Sequence, residues 1–81
     1  MVVEMSKVYK KLSMVMADIF QIDIADISYK SSPHNIQNWD SLKHMLLLMA
    51  LEEEYEFRFG DDELALCLDV QSIMQVLNNK I

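Results

Sequence analysis

Apolar residues recur along the first quarter of the chain at Met5, Val8, Leu12, Val15 and Ile19, in alternating steps of three and four. That spacing keeps them on one side of a 3.6-residue helix and predicts an amphipathic helix over about residues 3–20. The periodicity then fails from Gln21 to Asp40, where turn-forming Asp, Ser, Asn, Pro and His residues alternate with Ile22, Ile24, Ile27 and Ile36. A loop this long in a small chain is unusual, and its isoleucines predict that it packs on the core. A second helix is predicted from Asp40–Ser41 to about Tyr55, because Asp and Ser side chains accept from the free amides of a first helical turn. Gly60 interrupts the pattern, and Asp61 or Asp62 is placed to cap a short third helix near residues 61–66. Asp69 is placed to cap a fourth, in which Val70, Ile73, Met74 and Leu77 follow the i, i+3, i+4, i+7 rule. The fold class is therefore all-α: a four-helix bundle with a long first loop and a short third helix.

The second helix breaks the usual rule for a small bundle. Leu42 and the run Met45 to Leu51 put apolar side chains in nearly every direction around it. A surface helix shows one apolar stripe, so a helix apolar all round is either central or offers a second face to a partner. Leu47, Leu51 and Tyr55 are spaced by four and suit the core. Leu42, Met45 and Met49 form a separate stripe that begins beside Ser41; on spacing alone it is either more core or a partly exposed face for enzymes, where the thioethers suit varied partners.

Length and composition narrow the function. A chain of 81 residues is enough for one domain, residues 1–81, and too short for both a large core and a deep cleft. One Gly and one Pro agree with helices joined by few tight turns. Thirteen acidic against seven basic side chains give a net charge of −6. The excess lies at Glu52, Glu53, Glu54, Glu56, Asp61, Asp62 and Glu63, faced nearby only by Arg58. Such a surface repels nucleic acid and anionic membranes and attracts basic partners. Cys67 is the single cysteine, which excludes an internal disulfide and is expected to be buried in its apolar run. No apolar run reaches membrane-spanning length and no signal-peptide pattern opens the chain, which reads as cytoplasmic.

Candidate chemistry is sparse. Ser41 opens a helix, where free amides and the helix dipole favour a nearby anion such as a phosphodiester. His44 lies one turn beyond Ser41, and with His34 and Asp40 it invites a hydrolytic reading. No acid orients His44 and no oxyanion loop is recognisable, so the expectation is a non-enzyme with no catalytic residues. Glu52, Glu53 and Glu54 are consecutive and fan round their helix, so no metal site is expected. Lys7, Lys10 and Lys11 read as a solvated face of the first helix.

The stretch Trp39-Asp40-Ser41-Leu42, followed by Met49-Ala50-Leu51-Glu52-Glu53-Glu54-Tyr55, resembles the signature of acyl carrier proteins, and Asp69-Val70-Gln71-Ser72-Ile73 resembles that family's entry into its last helix. The resemblance covers nearly the whole chain in helix order, spacing, size and charge. It implies an acyl-carrier-type bundle that carries acyl or aminoacyl intermediates as thioesters on a 4′-phosphopantetheine arm. Ser41 would be the attachment residue, and Asp40 would help position it during transfer of the arm. Leu42, Met45, Met49, Glu52 and Glu53 would contact partners. Those partners would be a phosphopantetheinyl transferase, using coenzyme A and Mg²⁺, and the loading, condensing or transferring enzymes of fatty-acid, polyketide or related biosynthesis, with the carrier a monomer. The pattern departs from housekeeping fatty-acid carriers, which have acids where this chain has Lys43 and Leu46 and a small residue in place of Trp39. In this it looks more like free-standing carriers of specialised polyketide, aminoacyl or surface-polymer systems. Outside the family, the competing reading is an unmodified acidic helical adaptor that binds other proteins through the second helix.

Overall fold

The structure is a computed structural model, and it describes residues 5–80. The start of the first predicted helix at residues 3 and 4, and the side chain of Met5, lie outside the described residues. Among the described residues four α-helices follow in order: α1 (Met5–Phe20), α2 (Ser41–Tyr55), α3 (Asp61–Leu66) and α4 (Val70–Lys80). A single 3₁₀ turn, Ile24–Asp26, interrupts the long α1–α2 loop. All four helices and the long loop fall where the apolar pattern puts them.

α1 and α2 run antiparallel. At one end the Tyr55 hydroxyl donates to the Val8 carbonyl at 2.9 Å, and Lys11 pairs with Glu54 at 3.1 Å while lying over the Tyr55 ring. At the other end the Phe20 and Trp39 rings meet at 5.1 Å. Lys11 is thus engaged rather than simply solvated, although a pair this exposed contributes at most about 1 kcal/mol. α4 packs on α1, and α3 rests on α4.

The buried line on α1 is Val8, Leu12, Met16 and Phe20, with Val15 and Ile19 half-buried beside it. A line spaced by fours slants around a helix, as ridge-into-groove packing requires, whereas steps of three and four follow a straighter stripe. The sequence pattern therefore found the right side of α1 but missed Met16 and Phe20. On α2, Leu47, Leu48 and Leu51 are buried, and on α4 Val70, Ile73, Met74, Val76 and Leu77. Cys67 is fully buried, as expected of it.

The long loop is held to this core. Ile27 and Ile36 are buried and Ile22 half-buried, whereas Ile24 is exposed. Asn38 Nδ2 donates to the Phe20 carbonyl at 2.8 Å, and the Val70 amide donates to the Ser31 carbonyl at 3.1 Å. These bonds fasten the segment that delivers Ser41 to the end of α1 and the start of α4.

One helix start differs from expectation. α2 ends at Tyr55 as expected, and its cap Glu56 takes the left-handed conformation (φ 56°). Gly60 is extended and occupies the cap position of α3 that was expected for Asp61 or Asp62. Its amide donates to Glu63 Oε1 at 2.7 Å, and the same carboxylate pairs with Lys80 at 2.8 Å. Asp61, Asp62 and Glu63 then place negative charge in the first turn of α3, where the helix dipole favours it. α4 starts as expected, with Asp69 Oδ1 accepting from both the Ser72 amide and hydroxyl.

Candidate functional site

Ser41 is the first residue of α2 and is exposed. Asp40 is the cap: its backbone is extended, and its Oδ1 accepts from the Lys43 amide at 2.8 Å. Ser41 therefore does not spend its hydroxyl on capping, although either residue could have done so from the sequence. Removing the cap in Asp40→Ala should cost about 0.5–2 kcal/mol, read as a lower urea midpoint. An unchanged midpoint would mean that the Asp40–Lys43 bond does not hold the start of α2.

Two grooves meet at Ser41. One, of about 340 Å³, runs past Pro33, Trp39, Asp40 and Leu68. The other, of about 430 Å³, runs along Met45, Leu48 and Met49 towards Leu64 of α3 and is mostly apolar. A third, of about 450 Å³, lies at the opposite end of the molecule under Lys7, Lys10, Lys11 and Glu54 and does not reach Ser41.

The second stripe of α2 is open to solvent. Leu42, Met45 and Met49 are 66 %, 62 % and 59 % exposed, against fully buried Leu47 and Leu51. Leu46 is also exposed, as are Leu64, Leu66 and Leu68 around α3, so the apolar surface is wider than the predicted stripe. Glu53 is exposed. Glu52 is half-buried, and its Oε2 accepts from the Phe59 amide at 2.8 Å, which closes the turn after α2. Glu52 thus has a structural task that nothing in its local sequence signals.

His44 is not the plain surface residue its position implies. It is half-buried, and its Nδ1 accepts from the Trp39 indole N–H at 2.9 Å, with the two rings 5.9 Å apart and close to parallel. Its partner is an indole rather than a carboxylate, so the structure supplies no acid–histidine relay to Ser41. His34 is exposed in the loop. Among the described residues no group of three or more His, Cys, Asp or Glu is placed to hold a metal ion.

Burial pushes the His44 pKa below the ordinary 6.5, against a smaller upward pull from the Cys67 carbonyl. The unfolded chain then binds this proton more readily than the folded one. The contribution to stability is intact above about pH 6.5 and is lost as the pH falls through the lower folded value. The urea midpoint should fall between about pH 7 and about pH 5, and it should fall less in His44→Gln. Parallel curves would show that His44 titrates normally. Burial, the larger cause, and the nearby Glu63 charge together raise the Cys67 thiol to about 11.

No protein-family model matches the chain. Curated proteins do. The chain is 32 % identical over 76 residues to the acyl carrier protein of Thermosynechococcus vestitus, covering 94 % of both chains. It is 30 % identical over 76 residues to the acyl carrier protein of Buchnera aphidicola subsp. Schizaphis graminum, covering 94 % of this chain and 96 % of that one. It is 35 % identical over 71 residues to the acyl carrier protein of Clostridium acetobutylicum, covering 88 % of each.

Proposed function

Because this chain belongs to the acyl carrier protein family, we propose that it carries acyl or aminoacyl groups as thioesters on a 4′-phosphopantetheine arm attached through Ser41. The observation that carries this reading is the setting of Ser41: exposed, left out of the cap by Asp40, and placed where two grooves meet.

The residues present fit such an arm. The amides of Ser41 and Leu42 lie in the first turn of α2, where a phosphodiester on the Ser41 oxygen would be favoured. Asp40 fixes the backbone there through Lys43, so the hydroxyl is presented from a rigid turn rather than a mobile loop. The arm, once attached, supplies the thiol that holds cargo. The chain's own contribution is threefold: a fixed attachment point, a docking face and a sheltering groove. Leu42, Met45 and Met49 form the apolar part of the face, with Glu53 and the remaining acceptor capacity of Glu52 at its far end for basic groups on the enzymes. The apolar groove between Met45, Leu48, Met49 and Leu64 accommodates the first part of a chain borne at Ser41. The partners are a phosphopantetheinyl transferase and the loading, condensing or transferring enzymes of fatty-acid, polyketide or related biosynthesis. Lys43 and Leu46, in place of acids, favour a specialised system.

The exposed stripe on α2 also fits an unmodified adaptor, and one experiment separates the two. Intact mass is measured after incubation with coenzyme A, Mg²⁺ and a broad-specificity phosphopantetheinyl transferase. The expected result is a single phosphopantetheine mass gain, absent in Ser41→Ala, with Ser41→Ala folded as the wild type because Asp40 makes the cap. No gain with folded protein and active transferase removes the carrier reading and leaves the adaptor.

A further inference from the structure

The two grooves at Ser41 have two lining residues in common, Ser41 and His44. Beyond these two, the first groove is lined by Pro33, Trp39 and Leu68 and the second by Met45, Met49 and Leu64. The ring is fixed in that position. Trp39 is buried, packs on fully buried Phe20, and donates its indole N–H to His44 Nδ1 at 2.9 Å. In the neutral ring this leaves the proton on Nε2 and makes Nδ1 the acceptor. An imidazole hydrogen-bonded to a buried indole does not swing aside as freely as a solvated side chain does.

We propose that His44, held by Trp39, is the partition between the two grooves and determines how long a chain borne at Ser41 the protein can shelter. This rests on Ser41 bearing the cargo. A chain leaving Ser41 lies in one groove or the other, with the His44 ring between them, and removing the ring joins the two into a single space that a longer chain can fill. Trp39 is a positioning residue that acts through His44. Neither residue is required for attachment: they set the reach of the groove and not the chemistry at the serine.

The test attaches the chain chemically and needs no arm or transferase. In a Ser41→Cys background, linear N-alkyl iodoacetamides of increasing length are coupled at position 41. Cys67 does not compete, because it is fully buried and its thiol pKa is about 11. Tm is then followed against chain length, since each methylene that leaves water stabilises the folded state. With His44 and Trp39 in place, Tm should rise and reach a plateau. In His44→Ala, and in Trp39→Phe, which keeps a ring in the core but deletes the donor, the rise should continue to longer chains before levelling. The comparison is of the length at the plateau, so a lower starting Tm in either variant does not affect it. The same plateau length in all three proteins would overturn the proposal, and so would a Tm that never rises with length. If the protein takes no arm from coenzyme A, the carrier reading fails while this measurement still reports on the groove.

Discussion

A Phe20→Ala protein is expected to lose about 3–5 kcal/mol of stability, as large-to-small substitutions at fully buried aromatics do. The total for a domain of this size is only roughly 5–15 kcal/mol, so much of the population should unfold on mild warming. Phe20 is fully buried at the last turn of α1, its ring meets Trp39, and its carbonyl accepts from Asn38. The cavity would therefore open directly beneath the segment Asn38-Trp39-Asp40 that presents Ser41. Urea unfolding gives the size of the loss. The Trp39 fluorescence and, on the carrier reading, the mass gain at Ser41 should both deteriorate at denaturant concentrations where the wild type is intact. A loss under about 1 kcal/mol would mean that the loop and α1 collapse to fill the space, and that Ser41 does not depend on this contact.

Substitution on the open face of α2 should have the opposite signature. Leu42→Glu or Met45→Glu places a charge where the side chain is already mostly in water, so stability should stay within about 0.5 kcal/mol of wild type. Under the carrier reading these residues form the centre of the surface that enzymes cover. An apolar anchor at such a centre is worth about 2 kcal/mol or more, and replacing it should lower kcat/KM for arm transfer by about 30-fold. Leu48→Glu is the informative contrast: Leu48 is buried only three residues further along, so its loss should appear as unfolding. Equal rates in wild type, Leu42→Glu and Met45→Glu would remove these positions from the docking face.

The sequence is most legible where one local rule decides the outcome. The Asp-Ser pair at the head of α2 and Asp69 before α4 carry cap chemistry, and both helices begin there. Spacing separates two stripes on α2 without saying whether both are core, and the burial of Leu47 and Leu51 against the exposure of Leu42, Met45 and Met49 assigns only the first to the core. What was not legible depends on pairs that no period connects. Trp39 and His44 lie five residues apart across a helix boundary, so neither helical nor strand spacing brings them together. Glu52 closes a turn by accepting from Phe59, a bond set by where the chain goes after the helix ends. Glu56 adopts a left-handed backbone without the glycine that usually marks such a stop. Met16 and Phe20 are not legible for a geometric reason, since the buried line slants across α1 while the three-and-four spacing follows a straighter one.

The short helix α3 differs in kind from the other three. It has no buried residue, it packs only on α4, and it is fastened by the Gly60–Glu63 bond at its head and the Glu63–Lys80 pair across to α4. Yet Leu64 of α3 is one wall of the groove beside Ser41. Swinging α3 outward breaks surface polar contacts and takes no buried residue of its own out of the core, which places it towards the low end of the range of local opening free energies. On the carrier reading, the groove would then open many times for each time the molecule unfolds, and a passenger would enter and leave on a clock separate from the one that governs the protein's survival.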